Sequence, residues 1–211
     1  MATTIPYIHE CDLAQISIAA PKVMENKGKI LYIKHMNSPF IFKTHEMVTP
    51  YGLSDWDNTK FYLNLSIDDN DIGNKFKSSI EAFENLIIDY AFDNSQTLFR
   101  KTYPSKDVIK ELFSSSINAS SSKYQPTIKF QVPYIKNKFN CDAYDYKKNT
   151  IDISKNTITK GSKASVIVHC TGIWVAGSKF GCTYKVVQMK VASKINLFDQ
   201  YAFQDDSDEE S

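Results

Sequence analysis

A chain of 211 residues, 42% hydrophobic and 23% charged, is long enough to bury a sizeable core, and its composition excludes a wholly disordered protein. No apolar run approaches the roughly 20 residues that cross a bilayer. The net charge of +1 conceals a segregation, since residues 1–117 carry −3, residues 118–198 carry +10 and residues 199–211 carry −6. A basic body balanced by an acidic end points to a polyanionic partner. Arg100 is the sole arginine, so point-charge contact with phosphate is favoured over base reading by guanidinium forks.

The first residues, with Glu10 and Asp12 and no basic run, do not read as a signal peptide, and an intracellular protein is expected. Strands are expected over Gln15–Met24, Lys29–Lys34, Phe40–Lys43 and Lys60–Ile67, separated by Asn26-Lys27-Gly28, Ser38-Pro39 and Thr49-Pro50-Tyr51-Gly52. The period then changes. Phe76, Ile80, Phe83, Ile87 and Tyr90 recur every three or four residues, which predicts an amphipathic helix from Ile72, with Asp68-Asp69-Asn70-Asp71 as its capping turn. Ser105–Ser114 predicts a second, shorter helix with Ser105 as N-cap. Ser114–Ser122 reads as a flexible polar loop. Strands resume at Thr127–Val132, Phe139–Tyr146 and Thr150–Ile153, then form a long hairpin, Ala164–Ala176 and Lys179–Val191, around Gly177. Gln204–Ser211 is almost wholly acidic and is expected to be disordered.

This order predicts a mainly β protein with a helical insert: one OB-fold-like antiparallel barrel over residues 1–203 with an inserted helical pair at about 72–114, followed by an acidic tail at 204–211. A β-sandwich carrying the same insert fits nearly as well. The cysteines Cys11, Cys141, Cys170 and Cys182 form no C-x-x-C pair and read as reduced thiols, with Cys170 facing Cys182 across the hairpin as the alternative.

Lysines and aromatics interleave along the hairpin. Regular pairing puts Lys179, Thr183, Lys185 and Val187 on one face and Phe180, Cys182, Tyr184 and Val186 on the other. Gly181 reads as a possible bulge site, and Trp174 with Phe180 as one aromatic platform. Flat rings for bases and ammonium groups for phosphates are what a single-strand binder needs. The same rings are also the preferred residues of any half-buried strand. A second interleaved stretch places Lys136, Lys138, Lys147 and Lys148 among Tyr134, Phe139, Tyr144 and Tyr146; its plain alternative is a solvated loop. The acidic end, preceded by Phe198, Tyr201 and Phe203, reads as a competitor for the basic face, a docking site for partner proteins, or a solubilising tail. His9, His35, His45 and His169 fall in no metal-binding spacing, the acidic run at 68–71 lacks a calcium-loop pattern, and no Gly-rich phosphate loop or G-x-S-x-G is present. Neither an enzyme nor a cofactor is expected.

The run Gly161-Ser162…Val166…Cys170-Thr171-Gly172-Ile173-Trp174…Lys179-Phe180-Gly181-Cys182-Thr183-Tyr184-Lys185-Val186…Gln188-Met189-Lys190-Val191 resembles the carboxy-terminal core of the single-stranded-DNA-binding proteins of nucleocytoplasmic large DNA viruses. The resemblance covers about residues 125–191. It implies an oligonucleotide-binding fold that coats single strands in viral replication and recombination, and it nominates Trp174, Lys179, Phe180, Tyr184 and Lys185. Tyr184 stands where that family often has a second tryptophan. With Tyr144, Tyr146, Lys136, Lys138, Lys147 and Lys148, these form the expected nucleic-acid-binding set. Single-stranded DNA is the expected partner, with replication proteins at the acidic tail, self-association open and no membrane. A viral source implies a cytoplasmic factory, the host nucleus or packaging in the virion. The alternative function is a scaffold protein of a virion with a basic face for protein or packaged genome.

Overall fold

Sequence of period two builds the commonest regular element of this chain, the β-strand. In the computed structural model, which describes residues 4–118 and 124–192, strands β1 (Ile16–Ile18) and β2 (Lys22–Val23) precede β3 (Lys29–His35), β4 (Ser38–Lys43) and β5 (Met47–Val48). Pro21 divides the single strand expected over Gln15–Met24 into β1 and β2, because proline cannot donate to a ladder. The hairpin of β6 (Leu53–Trp56) and β7 (Lys60–Ser66) follows; β6 was not foreseen.

The helical insert comprises α1 (Asp71–Asp93), the five-residue α2 (Ser95–Phe99) and α3 (Lys106–Leu112), one helix more than the expected pair. The Asn70 side chain caps α1 by accepting from the Gly73 amide at 2.8 Å. Phe76, Ile80, Phe83 and Ile87 are buried, and the Phe83 ring lies 5.1 Å from Phe40. The predicted apolar stripe of α1 is thus a layer of the core. Ser105 stands at the N-cap of α3 without a side-chain capping bond.

Of the expected loop 114–122, residues 114–118 complete β8 (Phe113–Ser114) and form β9 (Ile117–Asn118). Next come β10 (Thr127–Val132), the small hairpin β11 (Tyr134–Ile135) and β12 (Lys138–Phe139), and β13 (Asp142–Tyr144). Residues 150–153 form no strand beyond a bridge from Thr150 to Tyr144. The described residues end with the long pair β14 (Lys163–Ala176) and β15 (Lys179–Ala192). The acidic segment and Phe198, Tyr201 and Phe203 lie outside the described residues.

All strands but β11 and β12 join one sheet, with the path β1-β3-β4-β14-β15-β10-β7-β6. This is the mainly β, OB-fold-like architecture with a helical insert. The main ladders are antiparallel, whereas β15 pairs in parallel with β8, β10 and β13, which no strand pattern encodes. One face of the sheet and α1 enclose the core.

Two bulges set the register of the long pair. Ile167 opposes Gln188 while Val168 opposes Val186, leaving Val187 unpaired and 41% exposed; Cys170 opposes Tyr184 while Gly172 opposes Thr183, leaving Thr171 unpaired. Here β14 changes neighbours, pairing with β4 through Ile167–Cys170 and with β3 through Gly172–Val175. Gly172 permits the switch, since a Cβ there would meet the Leu31 carbonyl oxygen at 2.2 Å. Gly181, expected as a bulge site, pairs regularly with Trp174.

Candidate nucleic-acid interface

Alternation along the strands places a row of half-buried side chains on the face opposite the core. Across β4, β14, β15, β10, β7 and β6 the register aligns Ile41, His169, Lys185, Gln131, Tyr62 and Ser54. To one side lies a cleft of about 540 Å³, bounded by Trp174, Thr183, Lys129, Asn64, Tyr62 and residues 114–118. To the other lies a cleft of about 280 Å³, with Tyr7, Lys43, Ile167, Gln188 and Lys190 among its walls. From Gly181, opposite Trp174, to Lys190, opposite Tyr144, strand β15 runs about 30 Å at a strand's rise per residue.

Three lysines on this surface lie over tyrosine rings. The Lys129 Nζ is 3.9 Å from the Tyr62 ring centre, that of Lys43 is 4.4 Å from Tyr7, and that of Lys190 is 4.7 Å from Tyr146. Each pair presents an ammonium and an aromatic ring at one point, held by cation–π attraction. Trp174 lies across the backbone of Gly181, where a Cβ would meet its Cζ2 at 2.9 Å. The absent side chain seats the indole against the sheet at the cleft.

The wall at residues 114–118 is anchored from beneath. Buried Glu84 of α1 accepts from the Ser115 hydroxyl at 2.7 Å, from the Ser116 amide at 2.8 Å and from the Ser116 hydroxyl. His169, beside Lys185 on the central row, is held below the ordinary histidine value, first by burial and then by the Lys185 charge.

Several expected site residues sit elsewhere. Phe180 is fully buried, with its ring 5.5 Å from Phe99 and 5.1 Å from Phe113. It points away from Trp174, because neighbouring paired positions alternate faces, so the expected joint platform does not form. Tyr184 is 3% exposed and packs edge-on against Phe42, Phe83 and Phe130; burial raises its phenol well above the usual value. Neither ring has a face free for a base. The Lys179 ammonium donates to the Glu111 carbonyl at 3.0 Å, a C-terminal contact with α3 that the helix dipole favours. Lys29 does the same for α2 through the Thr97 and Leu98 carbonyls.

Trp174 and Lys185 do lie on the open face, and Tyr144 and Tyr146 join it through Lys190. Lys147 and Lys148 are exposed in a turn that Asn149 closes on Asp145 through two 2.8 Å hydrogen bonds. Lys136 and Lys138 stand on the β11–β12 hairpin, which docks through Tyr134 and Phe139 on Phe61 at 4.7 and 4.8 Å; neither lysine lines a cleft. Sequence reasoning missed Tyr62, Asn64, Lys129, Gln131, Lys43 and Tyr7. The first four are the outward members of two strands read correctly as strands, so their alternation carried the signal.

The four cysteines are free. Cys170 opposes Tyr184 and Cys182 opposes Ile173, and burial pushes the Cys141 thiol up to about 11. Among the described residues no group of His, Cys, Asp and Glu could hold a metal ion, and no helix is long and apolar enough to cross a membrane.

Among solved structures, the chain is similar to gp2.5, a single-stranded DNA binding protein encoded by bacteriophage T7, with a TM-score of 0.52 and 13% identity over 78% of this chain and 98% of that one. At that identity the likeness is one of fold. The single-stranded DNA-binding protein of bacteriophage Enc34 aligns with TM-score 0.47 and 12% identity over 84% and 89% of the two chains. Its C-terminal truncation aligns with TM-score 0.48 and 12% identity over 90% and 100%; both scores are too low to bear on the fold. No curated protein matches the chain. A family model does match, over residues 64–205, and the chain belongs to that family, the family of unknown function DUF5871.

Proposed function

We propose that this protein binds single-stranded DNA, without catalysis and largely without sequence preference, along the outward face of β4, β14, β15, β10 and β7. The observation that carries the reading is the recurrence of lysine-on-tyrosine pairs with Trp174 along that one face. Stacking on an exposed ring contributes about 1–3 kcal/mol per base and tolerates any base, while each ammonium neutralises a phosphate. The fold shared with the T7 protein supports the reading. The hairpin motif supports a finer one, kinship with the DNA-coating proteins of large DNA viruses, with a place in viral replication or recombination inside the host cell.

In this proposal residues 1–203 act as one binding domain. Segment 204–211, with five carboxylates and no base, competes for the same lysines and offers a site to replication proteins. The test is a titration with oligo-dT, duplex of equal length and heparin, read by tryptophan fluorescence. Preference for oligo-dT, and an affinity loss of about 1–3 kcal/mol on Trp174→Ala, are expected. Equal affinity for all three ligands would instead favour a general polyanion-binding scaffold and overturn the proposal. Removing residues 204–211 is expected to tighten binding.

A further inference from the structure

The most exposed large hydrophobic side chain among the described residues is Trp56, at 69%, and it belongs to neither cleft. It ends β6 opposite Lys60 of β7. Directly opposed strand residues share a face and every second residue returns to it, so Trp56 and Lys60 lie on the same outward face as Ser54 and Tyr62. Trp56 and Tyr62 are diagonal neighbours, about 7–8 Å apart at their backbones.

The hairpin that carries Trp56 is built to be ordered. Three residues connect the paired Trp56 and Lys60; Asp57 and Asn58 have φ of +53° and +52°, and the Thr59 amide closes the turn by donating to the Trp56 carbonyl at 3.1 Å. Asp55, on the opposite face, binds the Lys155 ammonium with one oxygen and accepts from the Asn58 amide at 3.1 Å with the other. Those contacts hold its carboxyl below the usual range, the Lys155 bond contributing most. The carboxylate is therefore turned away from the outward face and paired there, while Lys60 flanks the indole. A tryptophan normally buries 150–250 Å² and dominates the contacts it makes. Here a braced hairpin holds it in solvent beside a lysine, next to Tyr62 and its Lys129 cation.

We infer that Trp56 and Lys60 form an outer subsite that stacks a base and contacts the adjoining phosphate of a single strand leaving the larger cleft past Tyr62. The inference rests on the single-strand reading above and adds the direction in which the strand leaves that cleft, toward the β6–β7 tip.

Two variants test it with oligo-dT of about 4 and about 16 nucleotides, the span of sites on such folds. In Trp174→Phe, Trp56 is the sole tryptophan, and saturating with the long oligonucleotide is expected to quench it. Trp56→Ala, at a solvent-exposed position, is expected to weaken binding of the long oligonucleotide about tenfold or more and to leave the short one, which the cleft accommodates, within about twofold. If the intact protein binds the long oligonucleotide but Trp56→Ala binds it equally well, or if Trp56 fluorescence is unchanged at saturation, the subsite is overturned and the parent reading stands. Equal weakening toward both lengths also overturns it, placing Trp56 within the cleft site. If the intact protein binds neither, the parent reading falls and the subsite with it.

Discussion

At the residue scale, the difference between a ring on the open face and a ring in the core is one step along a strand. Trp174 and Phe180 stand at neighbouring paired positions of one hairpin, yet one lines a cleft and the other is sealed beneath the helices. Phe180→Ala is therefore expected to destabilise the protein by about 3–5 kcal/mol. Chemical denaturation should show that loss, and the DNA affinity of the protein that remains folded should be little changed. His169 gives a second residue-scale expectation. Its folded value lies below the ordinary 6.5 because of burial and Lys185, so it is neutral at pH 7. A bound phosphate favours the protonated form, so binding takes up a proton and affinity for oligo-dT rises as pH falls through and below 6.5. His169→Gln should remove that rise in a pH series of titrations. Stability runs the other way. His45 is likewise lowered, by burial first, with Asp68 opposing and His9 reinforcing. The unfolded chain protonates both histidines below about 6.5 before the folded chain does, so their contribution is complete above that pH and is lost down to the folded values.

At the scale of elements, the insert does two things that its amphipathic pattern alone does not announce. Its apolar stripe seals the core over Phe40 and Tyr184, and its single buried carboxylate fixes a wall of the larger cleft. Glu84 sits among apolar neighbours of α1 and accepts three hydrogen bonds from Ser115 and Ser116. Bonds to a charged acceptor contribute about 1.5–3 kcal/mol, and donors left unpaired in a buried site are costly. Glu84→Ala should lower stability by about 2–4 kcal/mol and raise amide exchange at Ser116 and Ile117, read by hydrogen-exchange mass spectrometry. Glu84→Gln, which keeps one acceptor oxygen, should fall between.

At the scale of the whole molecule, the +10 segment is necessary for the face without being sufficient. The sheet brings Lys43, from the acidic amino-terminal part, alongside Lys190, and takes Lys179 away to a helix end. Among the described residues, Lys43, Lys129, Lys185 and Lys190 stand on the face at or between the two clefts, apart from Lys60 at the outer β6–β7 hairpin. Neutralising about four phosphates of a single strand gives a slope of about −3 in log affinity against log salt. Lys129→Gln should flatten that slope by about 0.7, whereas Lys136→Gln, on the hairpin that lines neither cleft, should leave it unchanged. A salt series of fluorescence titrations reads both.

Much of the fold was legible because period-two and period-3.6 patterns are local. The strands at 29–34, 60–67 and 127–132, the helix from residue 72 and the long hairpin follow from neighbouring residues alone, and so does the charge segregation that pointed to a polyanion. Which face of each strand meets water is not local. It depends on where α1 docks, on the bulges at Thr171 and Val187 that shift the alternation, and on Gly172, where one strand changes partners. Those tertiary facts moved Phe180 and Tyr184 into the core and Lys179 to a helix end. They also assembled Tyr7, Lys43, Tyr62, Lys129 and Lys190 from distant segments. The sequence by itself determined that the chain offers lysines and rings on a β framework, because composition and periodicity are properties of the chain. Only the tertiary structure decided which of them share one surface, because burial and register are properties of packing between segments remote in sequence.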